Sequence, residues 1–338
     1  MVVSGIPFVT LDDPRYGEAV QLSPVVQRVV ASNPSKFTYH GTGTYLVGGP
    51  TEVVVIDPGP TLDAHRDALL GAIAGRRVAA VLVTHCHSDH SPLARWLSAE
   101  TGAPTVGFGP HPRLVDPDAD DPVTGGPVTD DPVTRDLVTG ENSAGEPAVA
   151  EPAVIEESTD YDFDPDIRVI DGEVAARGSG FTLTAVHTPG HTSNHLCFAL
   201  AEARGLFTGD HIMGWSTTVI GPPDGDMRDY FASLHKVCGR DDRVLWPTHG
   251  APITEPRPVL DAFLAHRVER EAQVLAAVRS GQTSIASMVE VLYAAVRPEL
   301  HKPAGRSVLA HLVKLADDGV VVIDDDAPAT LRAVYRPA

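Results

Sequence analysis

Thr84-His85-Cys86-His87-Ser88-Asp89-His90 places three histidines and a carboxylate within six residues. Groups this polar and this crowded are hard to satisfy in a folded interior unless a cation sits among them. Three further segments each add a candidate ligand: His191 in Thr188-Pro189-Gly190-His191-Thr192, Asp210 in Phe207-Thr208-Gly209-Asp210-His211, and His249 in Pro247-Thr248-His249-Gly250. Neutral imidazole nitrogen and carboxylate oxygen are the donors that zinc and its first-row neighbours accept in hydrolytic sites. One such ion needs three protein ligands and an open position, so seven candidates suffice for two. Of the other histidines, His40, His65, His111, His235, His266, His301 and His311 sit in no ligand-like setting and read as structural. His195 and His211 stand beside candidates and read as supporting or packing residues. Cys86, alternating with the flanking histidines, reads as a small buried residue.

The candidates fall at the ends of β-branched runs. Val53–Asp57, Val78–Thr84, Phe181–Val186, Leu206–Thr208 and Val244–Trp246 read as strands. Loops beyond strand ends are aimed by a rigid scaffold, which suits an active site. Ser91-Pro92 predicts an N-cap with proline at the first helical position, opening a helix through Leu93, Ala94, Trp96 and Leu97. Beyond Pro256, Leu260, Phe263, Leu264, Val268, Val274, Leu275 and Val278 recur at helical spacing, predicting a connecting helix over 257–280. Two more helical patterns, then Val320–Ile323 and Leu331–Tyr335 as a ribbon, predict a small winged-helix-like unit at 281–338.

The net charge of −19 is concentrated. Residues 116–166 hold sixteen Asp or Glu against Arg135 alone, which accounts for −15 and leaves −4 for the rest. The folded parts are therefore near neutral, and an anionic substrate is not excluded. Within that segment Asp121-Pro-Val-Thr-Gly, Gly126-Pro-Val-Thr-Asp and Asp131-Pro-Val-Thr-Arg repeat with a five-residue period that fits neither helix nor strand. Proline and dense charge predict a solvated, disordered insertion over 113–163. Three cysteines (Cys86, Cys197, Cys238) suggest neither a disulfide framework nor a thiolate zinc site. No apolar run approaches bilayer length, and the first ten residues lack a leader pattern; the expectation is a cytoplasmic protein without a membrane partner.

His85-x-His87-x-Asp89-His90, with His191, Asp210 and His249 downstream, resembles the full ligand signature of the metallo-β-lactamase superfamily over about residues 35–255. The resemblance implies a four-layer αββα sandwich over 1–256. It also implies two Zn2+ ions (Mn2+ or Fe2+ being the alternatives), one held by His85, His87 and His191 and the other by Asp89, His90 and His249. Asp210 would bridge them, Asp89 and Asp210 would be catalytic, and Asp57 in Ile56-Asp57-Pro58-Gly59 matches a supporting position. Gly221–Tyr230, Ser233-Leu234 and the C-terminal unit are similar to the branch of the lactamase-like endoribonucleases, whose near relatives include polyketide-releasing thioesterases. The implied activity is hydrolysis of an ester, thioester or lactone on a small-molecule or carrier-bound acyl substrate, by water activated between the metals. Cleavage of single-stranded RNA is the second reading. Only Arg297, Lys302, Arg306, Lys314, Arg332 and Arg336 supply positive charge to the C-terminal unit, which weighs against RNA. A metal-dependent binding or sensing protein is the reading from another class. Antibiotic-degrading members generally lack the carboxylate that Asp210 supplies, so β-lactam hydrolysis is not expected.

Overall fold

The computed structural model describes residues 5–118, 158–294, 301–324 and 327–338. Seven strands form the first sheet in sequential order: β1 (Val20–Ser23), β2 (Val26–Val30), β3 (Gly43–Gly48), β4 (Glu52–Ile56), β5 (Arg77–Leu82), β6 (Thr105–Gly107) and β7 (Ile167–Arg168). Five form the second, in the order β12-β11-β10-β9-β8: β8 (Val174–Gly178), β9 (Phe181–His187), β10 (Leu196–Leu200), β11 (Gly205–Gly209) and β12 (Val244–Pro247). Helices α1 (Asp63–Ile73) and α2 (Leu93–Thr101) follow β4 and β5; α3 (Met227–Cys238) and α4 (Pro256–Arg279) flank β12.

The period-two alternation of the strands builds the layers. Val54 and Ile56 of β4, with Leu196, Phe198 and Leu200 of β10, point into the core between the sheets. Val53 and Val55 point the other way, onto Leu69, Ile73, Leu93 and Leu97 of α1 and α2. Cys197 and Ala199 likewise face out, onto Tyr230, Leu234, Val259 and Phe263 of α3 and α4. Four layers, αββα, result, as expected.

This topology gathers the candidate residues. β4 runs parallel to β5, and β11 parallel to β12. β9 is antiparallel to β10, which is antiparallel to β11, so β9 and β11 share a direction. The C-terminal ends of β4, β5, β9, β11 and β12 carry Asp57, residues 84–90, His191, Asp210 and His249 respectively. Beneath that edge Tyr45, Phe207 and Trp246 interlock, with ring centroids 5.0 and 4.6 Å apart, and the Tyr45 hydroxyl donates to the Pro247 carbonyl (2.6 Å) across the two sheets.

The C-terminal unit comprises α5 (Ile285–Leu292), α6 (His301–Asp317) and the ribbon β13 (Val321–Ile323) and β14 (Tyr335–Pro337). Its core holds Met288, Val308, Leu312, Val321 and Tyr335, together with Val274 and Val278 from the far half of α4. No helix among the described residues is long and apolar enough to cross a membrane.

Four expectations need correcting. The helix after the histidine cluster has no Ser91 cap: Pro92 already has helical angles, and the Ser91 hydroxyl donates instead to Asp160 (2.7 Å). On α4 the buried face runs through Phe263, Arg267, Arg270 and Val274, leaving Val268 54% exposed. The ribbon's second strand is Tyr335–Pro337, because residues 330–334 turn so that Ala333 N–H donates to Thr330 O and Leu331 packs inward. Of the insertion, residues 119–157 lie outside the described residues, but its flanks are not solvated loop. Thr159 bridges His87, Ser88 N–H donates to Ser158 O, and Phe163 and Asp118 are buried. Those flanks need only a few apolar or hydrogen-bonding residues to dock, which their acidic composition masks.

Phe207→Ala should cost about 3–5 kcal/mol in denaturant unfolding, since a fully buried ring between the sheets leaves a cavity that the strands cannot close. A loss under about 1 kcal/mol would contradict this account of the core.

Candidate metal centre

The ligand loops follow the C-terminal ends of β5, β9, β11 and β12. Residues 88–90 form a turn in which His90 N–H donates to the His87 carbonyl (3.0 Å). After β11, Gly209 has φ +50°, and a Cβ there would meet His195 Nε2 at 2.7 Å and Thr84 at 2.9 Å, so the turn that presents Asp210 requires glycine. The structure brings all seven sequence-predicted ligands to one buried spot, in three overlapping groups: His85, His87 and His191; His85, His90 and Asp210; Asp89, His90 and His249.

Hydrogen bonds on the outer side of each ring fix which nitrogen carries a proton. His191 Nδ1 faces the Val219 carbonyl (2.7 Å) and His249 Nδ1 faces the Gly41 carbonyl (3.2 Å); a carbonyl only accepts, so both Nδ1 atoms are protonated. His90 Nδ1 donates to Asp57 Oδ2 (2.9 Å). Thr84 Oγ1 gives its proton to Asp57 Oδ2 (2.8 Å), so it accepts from His85 Nδ1 (3.0 Å). The inward atoms, Nε2 of His85, His90, His191 and His249, are thereby left as potential lone-pair donors. His85 Nε2 and His191 Nε2 lie 3.0 and 3.1 Å from His87 Nδ1.

The second group is charged. His249 Nε2 lies 3.2 Å from Asp89 Oδ2 and 3.4 Å from Asp210 Oδ1; His90 Nε2 is 3.3 and 3.6 Å from the same two oxygens. The other Asp210 oxygen, Oδ2, is 3.9 Å from His191 Nε2, so this carboxylate faces both groups. His90 Nε2 and Asp210 Oδ1 are buried without a hydrogen-bond partner. Orphaned polar atoms of this kind, amid nitrogen and carboxylate donors, fit divalent metal.

Charge divides the centre in two. Burial drives the His87 pKa down to about 3 and His85 well below its ordinary value, helped by the neighbouring imidazoles, so this half is neutral. In the other half burial opposes protonation of His249, yet Asp210 and Asp89 push it up to about 10. His90 rises well above its usual value through Asp89, Asp210 and Asp57, against burial. Burial would raise Asp89, but His90 and His249 pull it down to about 2.

Asp57 anchors the support. Its residue has φ +49°, uncommon outside glycine, and its carboxylate accepts from Thr84 N–H (2.8 Å), Thr84 Oγ1, His90 Nδ1 and Thr248 Oγ1 (3.2 Å). His195 Nε2 accepts the Asp210 backbone N–H (3.2 Å) while its Nδ1 donates to Thr188 Oγ1 (2.9 Å), so the ring holds Asp210 from behind and has no nitrogen free for metal. His211 is buried against Tyr230, ring centroids 5.0 Å apart. Cys86 is buried beside Asn194, and burial raises its thiol to about 11.

Sequence reasoning missed the hydroxyls. Thr42 Oγ1 donates to Asp89 Oδ2 (2.8 Å) and accepts from Asn33 Nδ2 (3.0 Å). A signal did exist for the others: Thr84, Thr188 and Thr248 each stand one to three residues ahead of a ligand.

The metallo-β-lactamase superfamily model matches residues 40–249, which contain every one of these ligands. The chain belongs to the metallo-β-lactamase superfamily. A β-lactamase-associated winged-helix model matches residues 284–329. The chain is similar to an atrochrysone carboxyl ACP thioesterase of Paecilomyces divaricatus, 30% identical with 91% of this chain and 85% of that one covered. It is 29% identical to the β-lactamase-like protein 2 homolog of Caenorhabditis elegans, over 89% and 87% of the two chains. A β-lactamase domain protein of Burkholderia ambifaria superposes with a TM-score of 0.70 at 20% identity, over 99% and 97% of the chains, and shares the fold. Family and thioesterase-named relatives together support a hydrolase.

Metal uptake near neutral pH should release protons from the His90 and His249 half, because their folded, metal-free pKa values lie above that pH. Apparent affinity should therefore climb as pH rises toward about 10. Calorimetric titration in buffers of different ionisation enthalpy reads this directly; uptake without proton release would refute the charge assignment. Asp57→Asn should weaken metal binding by about 10–100-fold by loosening His90.

Proposed function

We propose that the chain is a dinuclear zinc-dependent hydrolase of acyl thioesters, with the acyl group delivered on a carrier or as a small molecule. The observation that carries the reading is Asp210: one carboxylate turns its two oxygens toward two separate ligand groups. His85, His87 and His191 would hold one ion; Asp89, His90 and His249 would hold the other, with Asp210 between them. When bound, zinc lowers the pKa of water toward about 7 and polarises a carbonyl oxygen. The protein's own part is positional. Asp89, pinned by Thr42, is placed to orient the attacking water and to carry its proton to the leaving sulfur. Asp57 and His195 hold His90 and Asp210 against the pull of the substrate.

Thioester over RNA rests on two supports. Relatives named as acyl-carrier thioesterases align with about nine-tenths of the chain. Three cations of the C-terminal unit, among the described residues, are also engaged within the protein. Arg306 pairs with Asp116 (2.5 Å) and donates to the Pro222 carbonyl, Lys314 pairs with Glu271 and Asp318 (2.9 Å each), and Arg336 pairs with Asp324 (2.7 Å). A phosphate backbone needs such charges free.

His87→Ala and Asp210→Ala should each lower kcat/KM on an acyl thioester by at least about 10³-fold while the thermal transition persists. Undiminished turnover by Asp210→Ala would overturn the assignment. Salt-sensitive binding and cleavage of single-stranded RNA, with no thioester turnover, would turn the reading to an endoribonuclease.

A further inference from the structure

Arg267 is out of place by every rule of composition. It lies in the middle of α4, is 2% exposed, and among the described residues it enters no ion pair. A buried guanidinium without a carboxylate is costly, so its contacts should show what it is kept for. Nη2 donates to the Thr218 carbonyl, and the guanidinium carbon sits 5.0 Å from the Tyr230 ring centroid.

Both contacts lead to the metal centre. The Thr218 hydroxyl lies 2.8 Å from the Asp210 carbonyl and 2.9 Å from the His211 carbonyl, donating to that pair. The next residue, Val219, supplies the carbonyl that receives His191 Nδ1–H. Tyr230 in turn donates its hydroxyl to the His211 carbonyl (2.9 Å), and its backbone fills the space where a Cβ on Gly190 would go, 2.4 Å away. The strap at residues 218–219 therefore touches two ligands from different strands, and Arg267 grips it from the helix behind.

We infer that Arg267 is a positioning residue for the metal centre: it fixes the 218–219 strap so that His191 and Asp210 present their donor atoms together. This rests on the proposed metal site and extends it to a residue that touches no ligand. It also gives α4 a second duty. The far half of that helix packs into the C-terminal unit through Val274 and Val278, and Glu271, one turn beyond Arg267, pairs with Lys314 of α6. The seating of the C-terminal unit and the alignment of the ligands thus share one helix.

The test titrates the full-length protein, stripped of metal, with zinc against a competing chelator, and records the visible spectrum of the cobalt-loaded form. Arg267→Met keeps volume and removes the donor. It should lower zinc affinity at least about tenfold, alter the cobalt bands, and reduce kcat on a thioester more than it changes KM. Arg267→Lys, which keeps one donor, should recover part of the loss. A variant that melts earlier but binds zinc with unchanged affinity and an unchanged cobalt spectrum would make Arg267 a brace only and overturn the inference. If Arg267→Met does not fold, Thr218→Val cuts the same strap from the other side, and unchanged zinc affinity there overturns it equally. Wild-type protein that takes up no zinc would instead sink the metal-site reading itself, a result distinguishable from the others.

Discussion

Lone pairs and negative charge crowded into one buried volume are the constraint to which the rest of this structure answers. Five imidazoles and two carboxylates meet at the edge of the sandwich, and their outer hydrogen bonds leave the donor atoms facing one another. No arrangement of protein groups alone neutralises such a cluster well; in the metal-free chain protons on His90 and His249 do so in part. Divalent metal would take up the lone pairs and charge that those protons leave unmatched. The cost of assembling the cluster is what the surrounding order offsets: the shared strand direction, the Tyr45–Phe207–Trp246 packing beneath the edge, and the strained Asp57 that ties β4 to β5 and β12.

Around that centre, supporting residues act by positioning the ligands. Asp57 sets His90, His195 sets Asp210, Thr42 sets Asp89, and the strap behind His191 is set from α4. None of these groups needs to touch a substrate to matter. A hydrolytic centre that must align seven donor groups tolerates little slack, because misplacement by even about an ångström at such a site costs large factors in rate. The C-terminal unit packs onto the far half of α4, and its Arg306, Lys314 and Arg336 are spent on internal pairs.

Much of this was legible in the sequence, for identifiable reasons. Histidine and aspartate at strand ends combine two independent signals, periodicity and ligand chemistry, so the gathering of all seven residues could be anticipated; the four layers followed from the family resemblance. Backbone partners could not: Val219 and Gly41 act through their carbonyls, which any residue carries. Thr42 escaped because a hydroxyl's partner is decided by tertiary contact. On α4 the apolar pattern suggests Val268 for the core, whereas two arginines occupy that face, buried because backbone carbonyls receive them, that of Thr218 for Arg267 and that of Leu292 for Arg270. The flanks of the acidic repeat read as solvated in the sequence because composition averages over a window and hides the few residues that dock.

The most direct measurement is a crystal structure of the zinc-loaded protein with anomalous diffraction recorded at the zinc edge. Two peaks are expected: one within about 2.0–2.2 Å of His85 Nε2, His87 Nδ1 and His191 Nε2, the other equally close to Asp89 and to the Nε2 atoms of His90 and His249, with one Asp210 oxygen on each. A single ion, or a pair from which Asp210 or His249 stands apart, would contradict it.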